Sequence, residues 1–253
     1  MDLNGKVAWV VGGSSGIGAA VALELQSRGA RVAISARRQE ELDAVSAGTM
    51  LALACDVTDA PALATAASRI REELGPIDLV VLSAAYWKQM APQDWDTEVF
   101  NRHVQVNLMG TSNAIAAVLP EMLARHSGVI AGIASVAGYR GLAGSAAYGA
   151  TKAAQINMLE SLRISVARSG VRVTTICPGF VRTDATAGND FPMPFIIDVD
   201  TAGRAICDGL ERERNEIVFP LPMAILFKTA RLVPVALWSA LWSRIPSKES
   251  SSV

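Results

Sequence analysis

Short, almost uninterrupted apolar runs alternate along this chain with longer stretches in which apolar positions recur at helical spacing. The runs predict strands at 6–11 (KVAWVV), 31–36 (RVAISA), 49–54 (TMLALA), 77–83 (IDLVVLS), 128–134 (GVIAGIA), 171–177 (VRVTTIC) and 216–219 (EIVF). The periodic stretches predict helices near 16–28, 38–45, 59–74, 95–125, 148–168 and 200–212. Strands that are apolar at nearly every position need cover on both faces, and a helix after each strand supplies it. Right-handed crossovers then give an α/β fold: one open, doubly wound parallel sheet of about seven strands with helices on both faces. Ligands are expected at the carboxyl ends of its strands. Nothing between 1 and 253 reads as a linker, so the chain is expected to form a single domain.

Composition narrows the classes of partner. A formal net charge of -1 gives no field that would gather nucleic acid, so none is expected as a partner. Cys55, Cys177 and Cys207 show neither a disulfide framework nor metal-ligand spacing, and His103 and His126 do not complete a zinc set with them. No metal is expected. No signal peptide is expected either, since Met1–Gly5 leads straight into the first apolar run. Reduced cysteines then suit the cytoplasm. A mean hydropathy of +0.30 is high for such a protein, and the excess concentrates in an apolar C-terminal segment, 218–245.

The first strand runs into Gly12-Gly13-Ser14-Ser15-Gly16-Ile17-Gly18 and then a helix. In a dinucleotide site of Rossmann type, Gly12 makes the turn, Gly16 lets backbone approach a pyrophosphate and Gly18 lets the helix pack on the strand. The free N–H groups and positive dipole at the helix start favour phosphate. At the end of the second strand, where an acidic residue would accept from a ribose diol, stand Ala36, Arg37 and Arg38. A guanidinium there grips a 2′-phosphate, which points to NADP(H), with Arg37 the better placed. The competing reading is two solvated arginines at a helix start. Asp56, followed by Val57, could accept from an adenine amino group or simply close a turn before Thr58 and Asp59.

Tyr148 and Lys152 lie four apart in YGATK, on one face of a helix. A phenol is a poor base near neutrality, and an adjacent ammonium would lower its pKa toward a useful range. Ser135 follows the fifth apolar run, where its hydroxyl can point into the cleft. With these residues in order, the chain resembles the short-chain dehydrogenase/reductase family along nearly its whole length. The resemblance rests on GGSSGIG, the CDV of Cys55–Val57, Asn107 in VQVNLMG, Ser135 in IASVAG, YGATK and Pro178-Gly179 in CPGFVRT.

That resemblance implies roles for individual residues. Tyr148 would be the general acid in reduction and the base in oxidation, and Lys152 would hold the nicotinamide ribose and tune Tyr148. Ser135 would hold the substrate oxygen, and Asn107 would anchor a water linking Lys152 to solvent. Ser83, Ala84, Pro178, Gly179, Val181 and Thr183 would line the cofactor pocket together with the glycine loop. Two departures from the family pattern stand out. Val11 replaces a usual Thr before the first glycine, and Ser83-Ala84-Ala85 replaces a usual Asn-Ala-Gly, so a weaker or slightly displaced cofactor is expected.

By the same resemblance, segments 85–95, 137–147 and the variable lid 184–198 should surround the substrate. Their aromatic and aliphatic side chains favour an apolar ketone or secondary alcohol, with only Arg140 and Arg182 arguing for a charged one. A 3-oxoacyl thioester reductase is the rival within the enzyme class, and a cofactor-binding regulator without turnover the rival outside it. A homodimer or homotetramer is the expected assembly. Segment 218–245 can be buried in three ways: against a membrane surface through Trp238 and Trp242, between subunits, or as a flap over the cleft.

Overall fold

The computed structural model describes residues 1–189 and 191–243. Asp190 of the expected lid, the end of segment 218–245 and the polar tail lie outside the described residues. The elements run β1 (Val7–Val11), α1 (Gly16–Ser27), β2 (Arg31–Ala36), α2 (Gln39–Ser46), β3 (Leu51–Ala54), α3 (Ala60–Leu74), β4 (Leu79–Leu82), α4 (Thr97–His103), α5 (Gly110–Ala124) and β5 (Gly128–Ile133). They continue with α6 (Ala146–Ser165), β6 (Val171–Pro178), β7 (Val181–Arg182), α7 (Asp184–Ala187), β8 (Ile197–Asp198), α8 (Val199–Glu211), β9 (Glu216–Phe219), α9 (Leu221–Ala230) and α10 (Val235–Trp242).

Seven strands form one sheet in the order β3-β2-β1-β4-β5-β6-β9, and every neighbouring pair is parallel. All five residues of β1 are buried, and they alternate between two cores. Ala8 and Val10 face one side with Val21 and Leu25 of α1 and Ile206 of α8. Val7, Trp9 and Val11 face the other with Leu63 of α3, Val118 of α5 and Leu159 of α6. Both faces are therefore dry, which is why the strands lack a polar alternation. Arg28 ties α1 to α8, donating to Glu24 at 2.8 Å, Asp208 at 2.7 Å and Glu211 at 2.7 Å.

The chain order reverses at β1, with β2 and β3 on one side and β4 on the other. Crossovers leave this point in opposite directions, and a crevice opens above the strand ends. The expected helix 95–125 is the one element whose interior differs. Between α4 and α5, residues Val104–Met109 form a π-helical turn. The Asn107 carbonyl there accepts from Thr111 Oγ1 at 2.6 Å and, from 48 positions along the chain, from Gln155 Nε2 at 2.7 Å. Side chains on α5 and α6 thus take the acceptor that a regular helix would use.

Candidate active site

A cleft of about 890 Å³ follows the carboxyl ends of β1, β4, β5 and β6, lined there by Val11, Ser83, Ile133 and Pro178. Its nucleotide end is the turn between β1 and α1. Gly12 sits at φ +87°, and a Cβ there would come within 2.5 Å of the Ala84 amide nitrogen. No side chain fits, so the turn presses directly on the segment after β4. Ser15, the residue capping α1, makes no side-chain bond to the helix, leaving its first amides free to meet an anion. Gly16 adopts φ +54° opposite Thr183, which caps α7 in a reciprocal arrangement with Thr186. Ser14, Ser15, Gly16, Ile17, Ala84, Gly179, Val181 and Thr183 all line the cleft. Gly18 instead packs α1 against the turn: a Cβ there would overlap the Gly12 carbonyl oxygen.

Arg37 and Arg38 separate in role. Arg38 pairs with Glu41 at 2.6 Å at the start of α2. Arg37 is exposed on the cleft wall and forms neither an ion pair nor a hydrogen bond among the described residues. Asp56 Oδ1 accepts from the Thr58 amide at 2.9 Å and its hydroxyl at 2.8 Å, so the turn reading is realised while the residue still lines the cleft beside Val57. Burial raises its carboxyl, but the Thr58 bonds and the nearby Arg37 leave it below the usual range. The residues present therefore fit a dinucleotide: an uncapped helix start, a turn without side chains and a free guanidinium beyond it.

At the other end, α6 delivers Tyr148 and Lys152 one turn apart, and the turn after β5 delivers Ser135. Ser135 Oγ accepts from the Ala137 amide at 3.1 Å, which fixes the hydroxyl at the cleft floor. Lys152 is almost fully buried and donates to the Ile133 carbonyl at 2.9 Å. Its Nζ lies 5.4 Å from the centroid of the Tyr148 ring. Burial dominates both groups. It pushes the phenol up to about 12, partly offset by the Ser135 hydroxyl, and drops the ammonium to about 7. Desolvation of the phenol, rather than the nearby ammonium, sets the direction for Tyr148.

Asn107, also expected here, is buried on the turn between α4 and α5 with its side chain fully bonded. Its Oδ1 accepts from the Tyr86 amide at 2.6 Å, and its Nδ2 donates to the Tyr86 carbonyl at 3.0 Å and to Thr151 Oγ1 at 3.1 Å. One turn earlier, buried His103 accepts the Lys88 amide on Nε2 at 3.2 Å, while its Nδ1 meets the Val99 carbonyl at 2.8 Å. That pairing assigns the proton to Nδ1, and burial holds the ring toward its neutral form. The two side chains together hold the backbone of residues 86–88. That backbone carries Trp87, whose ring meets Tyr148 edge-on at 5.0 Å and whose Nε1 donates to Asn189 of the lid at 3.1 Å. His103, Gln155 and the Trp87–Asn189 bridge were not legible as site features. A histidine and a glutamine within helical spacing look like any solvated polar positions.

The substrate end is apolar. Leu142, Phe180, Phe191, Met223, Phe227 and Trp242 line it. Arg140 donates to the Val233 carbonyl at 2.8 Å and stacks on Trp238, and Arg182 pairs with Asp198 at 3.0 Å, so both cations are engaged. Trp238 donates to the Gly141 carbonyl at 2.8 Å, and α10 lies against the cleft wall. Of the readings open for segment 218–245, the Trp238 and Trp242 side takes the one against the cleft.

These shifts fix how stability should follow pH. Lys152 binds fewer protons folded than unfolded between about 7 and its ordinary 10.5, so its contribution rises with pH across that window. Cys177 and Cys207, raised by burial from 9.0 to about 11 and about 12, and Tyr148, raised to about 12 from 10.0, stay protonated when folded and lose stability above their unfolded values. The thermal midpoint of the cofactor-free protein should rise from pH 7 to a maximum at about 9 and then fall. Scanning calorimetry across that range checks it; a midpoint falling steadily from pH 7 would mean Lys152 keeps its charge when folded.

A nucleotide cleft at a sheet's switch point, ending in a Ser-Tyr-Lys constellation, defines a class of nicotinamide-dependent oxidoreductase. The comparisons agree. The short chain dehydrogenase family model matches residues 6–191, and the chain belongs to that family. An oxidoreductase of Myxococcus xanthus is 37% identical over 250 residues, covering 96% of this chain and 99% of its own. An acetoacetyl-CoA reductase of Synechocystis is 38% identical over 191 residues, covering 74% of this chain and 76% of its own. A short-chain dehydrogenase structure from Streptomyces avermitilis superposes with a TM-score of 0.81 at 26% identity, over 98% of both chains. Members of the family use a nicotinamide cofactor, NAD or NADP, and act on small molecules.

Proposed function

We propose that this chain is an NADP(H)-dependent oxidoreductase that interconverts a ketone and a secondary alcohol on an apolar substrate. The observation that carries the reading is the polarity of the cleft: Arg37, unpaired among the described residues, at its nucleotide end, Ser135, Tyr148 and Lys152 midway, and aromatic and aliphatic walls beyond. When bound, the nicotinamide supplies or accepts the hydride. The chain's own part is the proton and the oxygen. Tyr148 gives the proton to the carbonyl oxygen in reduction and takes it from the hydroxyl in oxidation. Ser135 donates to the same oxygen and stabilises charge as it develops. Lys152, one turn away, favours the phenolate whenever it is protonated, and the cofactor's ribose is the polar group that would draw it from Ile133. Asn107 and His103 hold Trp87 above the phenol and keep water from that side. A homodimer or homotetramer belongs to the same reading, as does a cytoplasmic location.

The Synechocystis relative favours a second reading, reduction of a 3-oxoacyl thioester. A carrier or coenzyme with phosphates would need cations at the mouth, and Arg140 and Arg182 are already engaged. The deciding experiment titrates the purified protein with NADPH and NADH by fluorescence, then follows turnover of acetoacetyl-CoA beside aliphatic and aromatic ketones. Tighter NADPH binding and faster turnover of the ketones are expected. NADH preference would remove the cofactor assignment, and selective turnover of the thioester would install the second reading.

A further inference from the structure

The C-terminal helices present an outward face that the cleft does not use. Leu221, Ile225 and Leu232 recur on the outer side of α9 and the turn after it, with 70%, 58% and 85% of their surfaces exposed. On α10, Leu237 and Leu241 are exposed one turn apart on one side of the helix, and Val235 is exposed at its start. Clustered apolar exposure of this extent marks contact with something other than water.

The chemistry of the face distinguishes the occupant. Residues 217–243 contain no Asp or Glu; Lys228 is paired with Glu216 just before them, and Arg231 is exposed. Arg231 forms no ion pair among the described residues and stacks over Tyr139. A protein interface carries about one hydrogen bond per 100–200 Å². This face offers few groups to make them. Thr229 turns its hydroxyl back onto the Ile225 carbonyl at 2.8 Å, and Ser243 turns its own onto Ala240 at 3.3 Å. Prolines interrupt the segment into two short helices, and no described helix is long and apolar enough to cross a bilayer. The geometry suits short helices lying in the plane of an interface, with cations near lipid headgroups. The face is also continuous with the cleft mouth: Leu226 is 44% exposed and lines the cavity, as does Trp242.

We infer that α9 and α10 dock the protein on an anionic lipid surface through Leu221, Ile225, Leu232, Val235, Leu237 and Leu241, with the cleft mouth opening beside the lipid. The supply of apolar substrate from that lipid rests on the function proposed above; the docking itself does not.

The test uses the full chain with sedimented vesicles of phosphatidylcholine, alone and mixed with phosphatidylglycerol. Binding to both, tighter to the mixture, is expected. A variant carrying L232E, V235E and L237E should bind at least roughly tenfold more weakly, since three apolar side chains lose burial. These side chains are exposed, so NADPH titration of the variant should match the parent and certify its fold. A parent that stays in the supernatant with both vesicles overturns the inference. So does light scattering in which the triple variant splits a stable oligomer, because the face then belongs to a second copy. Failure of the functional reading would show separately, as loss of cofactor binding or ketone turnover in the parent.

Discussion

Replacing Tyr148 by Phe should reduce turnover of a competent ketone by about a thousandfold, the scale of a positioned general acid, while leaving NADPH affinity within about twofold. The substitution removes one oxygen and no ring. The edge-on contact with Trp87 and the packing of α6 survive, so the fold should be unaffected. The loss should sit in kcat rather than KM, because the phenol's proton is needed only as the substrate oxygen gains charge. Steady-state kinetics beside a cofactor titration would check both halves. Full turnover would transfer the acid to another group; among the described residues the nearest titratable side chains besides Lys152 are the buried thiol of Cys177 and the His103 ring, 6.4 Å from that of Tyr148.

The second large effect is expected at Arg37. Arg37→Ala should weaken NADPH binding by roughly ten- to a hundredfold, the value of losing charge-assisted bonds to a phosphate in a solvent-exposed setting. NADH binding should change little, since that cofactor lacks the group. Arg38→Ala is the matched control: its partner Glu41 already satisfies it, so its effect on either cofactor should be small. Titrations of both variants with both cofactors decide it. An Arg37 variant that keeps its NADPH preference would place the phosphate grip elsewhere, and one in which neither cofactor binds the parent would direct attention to Ser83-Ala84-Ala85 and to a role without turnover.

How far the chain could be read in advance follows from which forces act locally. The seven strands were legible because both faces of the sheet are dry, so each strand is a continuous apolar run. The nucleotide turn was legible because contact between Gly12 and Ala84 leaves no room for a side chain, and that demand is written as glycine. Tyr148 and Lys152 were legible from their spacing only in company with Ser135 and the order of the other motifs. Their electrostatics were not, since the direction of each shift depends on how little water reaches them. The π-helical turn was equally hidden: the Gln155 amide that diverts the Asn107 carbonyl lies 48 positions away in sequence. The paired tryptophans of α10 left lipid, a second subunit and the cleft all open, for spacing shows that two rings align and not which surface they meet.

The π-helical turn has a consequence for how the chain can change length. A turn of this kind holds one residue more than an α-helix would. Removing a single residue from 104–109 would restore ordinary helical bonding there. Because the wider turn takes up its extra residue within one circuit of the helix, α4 would keep nearly its present orientation relative to α5, and His103 would still face Lys88. What would change is the Asn107 carbonyl, which ordinary bonding would claim for a helix amide in competition with Thr111 and Gln155. The extra residue therefore serves the tie between α5 and α6 rather than the aim of His103 at the loop.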